Sequence, residues 1–169
     1  MKYFTGIILI TLTFFSLQLG AAELKVGVLD LQRIMIESNE GKKVDESLKA
    51  KHSEMQKELD KQQQELVDMQ KDIEKQSLML SMDAKEDKQR EFEKKKRELA
   101  YLAQDMNEKM NKFRTEVQNE LLKLIVGVVE KIAENKKFDM ITERRTLLYY
   151  SKDLDITSEV IEELNKVKP

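Results

Sequence analysis

The side chains able to do chemistry are few and scattered along this chain. Cysteine is absent and His52 is the only histidine, which excludes disulfides and leaves no ordinary zinc ligand set. No Gly-rich phosphate cradle, nucleophile elbow or pair of catalytic carboxylates stands out. The sequence therefore predicts no enzyme, no cofactor and no metal. Two kinds of residue remain that bind rather than react. Methionines at 55, 69, 79, 82, 106 and 110 offer soft, adaptable thioether surface. The stretch Lys85 to Arg97 holds seven basic and four acidic residues and ends in Lys94-Lys95-Lys96-Arg97. Such a run suits an acidic partner or a membrane surface, or is simply a solvated helix face.

The elements that must position these residues are long helices. Between Gly41 and Gly127 there is neither proline nor glycine, so nothing interrupts a helix there. Two seven-residue ladders recur. One runs His52, Leu59, Leu66, Ile73, Leu80, interleaved with Leu48, Met55, Gln62 and Met69. The other runs Phe92, Leu99, Met106, Phe113, interleaved with Lys96, Ala103, Met110 and Val117. Repeats of this period form coiled-coil seams. The ladders mirror each other about a point between Met82 and Asp83: Ile73 pairs with Phe92, Leu66 with Leu99, Leu59 with Met106, Met55 with Met110, Leu48 with Val117. The spacing predicts an antiparallel two-helix hairpin over 42–120, turning near 81–84, with Asp83 and Glu86 as a capping box. The alternative is one continuous helix in a parallel dimer. Limbs of roughly 40 residues are about 60 Å long, far more than a compact domain needs.

This geometry sorts the candidates. His52 falls opposite Phe113 and is expected in the seam, as are most of the methionines. Met79 and Met82, near the tip, are the better binding candidates, with Lys94, Lys95 and Arg97 just beyond. Gln62, Gln76 and Lys96 interrupt the seam and weaken it.

The two ends of the chain build something else. Residues 1–22 read as a secretory signal: Lys2, an apolar run from Tyr3 to Leu17, then Gly20-Ala21-Ala22. Cleavage there leaves Glu23 as the mature start. Leu24–Leu29 alternates as a strand, and Asp30 can cap a short helix, Leu31–Glu37. From Leu121 to Ala133 the returning limb is apolar nearly all round, as a helix buried on every side would be. Phe138–Ile141 and Thr146–Tyr150 read as two further strands around Glu143-Arg144-Arg145, and a final amphipathic helix follows Thr157. The expected fold is α+β: a small β-rich body of 23–41 and 121–169 carrying a long coiled-coil arm. Val26, Val28, Leu121, Ile125, Val126, Val129, Leu148 and Tyr150 are its expected core and oligomerisation residues. A body of this size is marginal alone and has exposed strand edges, and association cures both. With 37% charged residues but a net charge of −2, the chain lacks the basic footprint of a nucleic-acid binder.

The mature chain resembles the Skp/OmpH family of periplasmic chaperones. The resemblance rests on Lys25-Val-Gly-Val-Leu-Asp-Leu-Gln-Arg, Glu37-Ser-Asn-Glu-Gly-Lys-Lys, Lys88-Gln-Arg-Glu-Phe, Leu148-Tyr-Tyr and Asp155-Ile-Thr-Ser-Glu-Val-Ile, in that order around the hairpin. It implies a homotrimer joined through its bodies, with three arms hanging like tentacles around a cavity. It also implies an ATP-independent holdase for unfolded outer-membrane β-barrel proteins. The best-known member is strongly basic, whereas this chain has a pI near 5.7, so lipopolysaccharide or anionic lipid is not carried over as a ligand. The competing reading of the same pattern is a structural coiled-coil spacer or adaptor of the cell envelope.

Overall fold

The structure, a computed structural model, describes residues 24–167. The expected signal segment, 1–22, lies outside the described residues. The described chain is mostly helical, with one small sheet: β1 (Val26–Leu29), α1 (Leu31–Glu37), α2 (Asn39–Gln76), α3 (Met82–Lys136), β2 (Met140–Glu143) and α4 (Thr157–Lys166). Two short 3₁₀ turns, Arg144–Thr146 and Lys152–Leu154, lie between β2 and α4.

β1 and β2 are parallel neighbours, with Val26 opposite Met140 and Leu29 opposite Glu143. Parallel strands need a crossover connection, and here α1, α2 and α3 together form it. The long hairpin is thus an extension of a βαβ-like crossover. On the same strand, Val28 also bridges to Asp155, whose neighbour Ile156 donates its N–H to the Val28 carbonyl at 2.9 Å. The sheet is smaller than the sequence suggested. Thr146–Tyr150 forms no strand in the single chain: a 3₁₀ turn takes Thr146, Leu147 continues in extended backbone, and nothing pairs with the segment. Its strand-like composition reflects large side chains that the single chain leaves in solvent, Leu148 and Tyr149 among them.

The core lies where the hairpin meets the sheet. Leu121, Ile125, Val128 and Ile132 make one stripe along α3, packed with Ile34 of α1, Leu29 of β1, and Ile156, Val160 and Leu164 around α4. This spacing of four, three and four is one face of a helix. The opposite flank of the same segment is open, with Leu122, Leu124 and Val126 exposed. Burial on every side, expected from the all-round apolar sequence, is therefore not met within one chain. Val126 and Leu148, expected with the core, are exposed; Val26, Val129 and Tyr150 are half-buried; Val28, Leu121 and Ile125 are buried.

Capping fixes each junction. The Asp30 carboxylate accepts from the Arg33 N–H at 3.0 Å and starts α1. Buried Ser38 ends α1 and starts α2, its hydroxyl accepting from the Gly41 N–H at 3.0 Å. α3 closes in a Schellman arrangement: Lys137 adopts φ 57°, Phe138 N–H bonds the Ala133 carbonyl at 3.0 Å, and Lys137 N–H bonds that of Glu134 at 3.3 Å. At the far end α2 stops at Gln76 and the turn spans 77–81, four residues earlier than expected. Ser81, not Asp83, takes the N-cap, accepting from the Ala84 N–H at 3.3 Å. A short serine hydroxyl is as good a cap as aspartate, and capping at Ser81 lets Met82 and Asp83 join the helix.

The α1–α2 corner gives a sharp test. A Cβ at Gly41 would fall on the Met35 backbone carbonyl, which no side-chain adjustment relieves. Gly41→Ala is expected to destabilise by roughly 1–3 kcal/mol, the usual range for overpacking, read as a lower urea midpoint with an unchanged slope.

Candidate functional site

The two long helices form an antiparallel hairpin. Glu65 on α2 and Lys95 on α3 form an ion pair at 3.3 Å, Gln62 shares a groove with Leu99 and Leu102, and Val44 shares one with Val117 and Leu121. The half-buried residues of α2 run Val44, Leu48, Lys51, Met55, Leu59, Gln62, Leu66, Met69, Ile73. Those of α3 include Lys88, Phe92, Lys95, Leu99, Leu102, Ala103, Met106, Met110, Phe113 and Val117. α2 contains one pair of successive four-residue steps, Lys51–Met55–Leu59. In α3 the slip falls between Lys95 and Met110, where Leu102 and Ala103 are both half-buried. Such a stutter moves the seam by one position relative to a strict heptad.

This slip corrects three expectations. His52 is exposed, and Lys51 takes the seam position. Lys96 is exposed and Lys95 is half-buried instead. Gln76 is exposed, leaving Gln62 as the half-buried polar member among the three proposed interruptions. Met55, Met106 and Met110 sit at the stutter, where an unbranched, flexible side chain fills irregular space. Met69 lies in the seam as well. These four methionines are packing residues.

The tip differs. Leu78, Met79 and Met82 are 96%, 88% and 81% exposed, a small apolar cap on a hairpin whose outer faces are otherwise highly charged. Leu78 escaped the sequence reading because the expected turn left it inside α2. The signal that finds it is Ser77, whose hydroxyl donates back to the Glu74 carbonyl at 2.7 Å as α2 ends.

Three of the seven basic side chains in the run beyond the tip are paired within the arm. Arg90 binds Glu86 at 3.0 Å and Asp87 at 2.6 Å, Lys94 lies 3.8 Å from Glu98, and Lys95 meets Glu65. Exposed pairs of this kind contribute little stability. Arg97 is exposed. Among the described residues no cluster of three or more His, Cys, Asp or Glu side chains could hold a metal ion, and no helix is long and apolar enough to cross a membrane.

At the packed end, Asp30 joins the helix cap to the segment after β2. Its second oxygen accepts from Arg144 at 2.8 Å, and Arg145 reaches Gln32 at 3.0 Å. Tyr150 donates to Asp155 at 3.2 Å. The Arg33 amide, then Arg144, holds the Asp30 carboxyl below its usual range, outweighing the opposing effect of burial. Burial alone would raise Asp155, but hydrogen bonds from Thr157 and Tyr150 lower it.

The fold is thus a long helical hairpin set on a small packed end. The family model for outer membrane protein (OmpH-like) matches residues 25–164. A Skp-like protein of Pseudomonas aeruginosa is 23% identical over 168 residues, covering 99% of this chain and all of that protein. A protein of Aquifex aeolicus is 31% identical over 119 residues, covering 68% of this chain and 74% of its own length. The crystal structure of an OmpH-like outer membrane chaperone from Caulobacter crescentus superposes with a TM-score of 0.80 at 18% identity, covering 97% of this chain and 90% of that one. The chain belongs to the OmpH-like outer membrane protein family.

The Asp30 junction has a defined pH signature. A carboxyl with a depressed folded pKa contributes stability that is present above the unfolded value, about 3.9, and is lost as pH falls through the folded value. Asp30→Asn keeps a cap but removes the charge, so its cost relative to wild type should be largest at neutral pH and shrink by pH 3. Asp30→Ala should cost about 1 kcal/mol more through the lost cap. Urea titrations at both pH values measure this.

Proposed function

We propose that this chain is an ATP-independent holdase of the periplasm, exported by residues 1–22. In this reading it assembles as a homotrimer through its packed ends and holds unfolded outer-membrane β-barrel proteins between its arms. The observation that carries the reading is the arm itself. Between residues 42 and 120 no side chain is fully buried, yet the two limbs extend far from the core and end in an apolar cap. A strut that bound one folded partner would need a fixed, shaped surface. Limbs with a slipped seam, half-buried methionines and an adaptable tip suit clients that have no fixed shape.

Self-association is supported by the face of α3 that the core does not use. Leu122 and Val126 line a groove with Gly127, and a Cβ at Gly127 would meet nothing within 4 Å. Leu148 and Tyr149 add exposed apolar surface at the same end. Val126 is 46% exposed in the single chain, so Val126→Asp leaves its charge hydrated in the monomer and buries it only in an assembly. Burying an unpaired charge costs several kcal/mol. Sedimentation should shift from trimer to monomer while helicity by circular dichroism is retained; an unchanged trimer would remove this face from the interface.

Arm length tests the cavity. Excising residues 73–92 and joining Asp72 to Glu93 through a short Gly-containing turn removes the layer of Ile73 and Phe92 with everything beyond it, so the layers that remain keep both partners. The core from Leu121 onward is untouched, so folding and assembly should persist. In an aggregation assay without nucleotide, protection of a small β-barrel client should fall modestly and that of a large one severely. A spacer would lose or keep its partner all at once, and equal protection of both clients would sink the cavity model.

A further inference from the structure

Of the methionines among the described residues, two stand apart. Met55, Met69, Met106 and Met110 are half-buried in the seam, and Met35 is half-buried beside the core. Met140 is 49% exposed on β2. Met79 and Met82 are almost wholly in solvent, lie on either side of the N-cap Ser81, and share the tip with Leu78. Thioether oxidation follows access of the oxidant to sulfur, and it turns a flexible apolar side chain into a polar one. At Met35, Met55, Met69, Met106 and Met110 a sulfoxide would have to enter a packed layer. At the tip it would alter nothing but the surface.

We propose that Met79 and Met82 form a reversible oxidation site that sets whether the arm ends in an apolar or a polar cap. The oxidant is a two-electron peroxide. A sulfur lone pair attacks one peroxide oxygen, the S–O bond forms as the O–O bond breaks, and the second oxygen leaves as water after taking up the protons. Sulfur is oxidised by two electrons and the peroxide is reduced. A methionine sulfoxide reductase reverses the step, its thiols becoming a disulfide as the oxygen leaves as water.

The consequence at the tip is local. The Ser81 cap bonds through its own hydroxyl and the Ala84 N–H, and neither sulfur is needed for it. The seam from Ile73 and Phe92 toward the base contains neither residue. Oxidation therefore leaves the hairpin folded and removes most of the apolar surface from its end, leaving Leu78 alone. Resting on the holdase reading above, this weakens the grip of the arm on the apolar segments of unfolded clients, and reduction restores it.

The test treats the full chain with dilute hydrogen peroxide and follows each methionine by peptide mass mapping. Met79 and Met82 should gain oxygen on the order of fivefold faster than Met55, Met69, Met106 and Met110, in keeping with their exposure. Retention on a hydrophobic-interaction column should fall with the same time course, helicity should not change, and a sulfoxide reductase should restore retention. The double variant M79L/M82L should keep full retention and be indifferent to peroxide at those early times. Equal oxidation of tip and seam methionines, or loss of retention in the leucine variant, would overturn the site. Client protection is then measured on the same samples. It should drop on oxidation of the natural sequence, recover on reduction, and stay constant in the leucine variant; protection that ignores tip oxidation overturns the control of grip. Reduced protein that protects no client removes the holdase reading and the control of grip with it, while the mapping still decides the oxidation site.

Discussion

The contact on which the rest of the molecule depends is the stripe Leu121, Ile125, Val128 and Ile132 of α3 against α1, α4 and the strand β1. It is the one place where a third layer covers a helix of the hairpin. Two helices lying side by side shield each other along a single line, and their seam residues stay half in solvent. That is why no residue from 42 to 120 is fully buried while α3 becomes buried as soon as it reaches Leu121. Apolar burial is the main favourable term in folding, so this stripe anchors the arm. The limbs themselves rely on intrinsic helix preference, i to i+4 pairs such as Lys109–Asp105 and Lys49–Asp45, and the shared half-buried seam.

The hairpin was legible because periodicity is a global property of a long segment. Mirror-related ladders need only the sequence and a period, and the pairing of Met55 with Met110 and Leu48 with Val117 follows from them. What the ladders concealed was the stutter. A strict seven-residue count absorbs a one-residue slip by promoting a polar residue such as His52 or Lys96 into the seam. The structure uses Lys51 and Lys95 instead, whose long stems cover apolar neighbours while the amines reach Glu54 and Glu65. The turn was misplaced for a related reason: Ser81 and Asp83 are both good caps, and mirror symmetry about one point assumes that the register is constant from base to tip.

At the packed end the sequence showed which residues are apolar but not how many layers they serve. Leu121 to Ala133 is apolar around most of its circumference, and that pattern equally describes a helix buried in one chain and a helix shared between chains. Thr146–Tyr150 has strand composition, but a strand exists only when its backbone groups find partners, and within one chain these do not. Both misreadings fall on surface that a single copy leaves uncovered, Val126 on α3 and Leu148 after β2. An isolated chain exposes them at a cost that association would relieve, and of the residues expected in core or interface these are the ones given above to assembly.

The topology separates two demands that would otherwise conflict. β1 and β2 are parallel neighbours, so the chain must leave the sheet and return, and the register Val26–Met140 to Leu29–Glu143 is set by those strands and by the stripe on α3. The hairpin lies within that crossover but beyond the core. Adding or removing matched lengths of both limbs changes how far the arm reaches without moving any buried residue. Weak seam layers such as Gln62 are tolerable in such an arm because they cost nothing at the sheet. The same separation applies to chemistry at the end: a change confined to Met79 and Met82 alters what the tip can touch while the fold that holds it is held elsewhere.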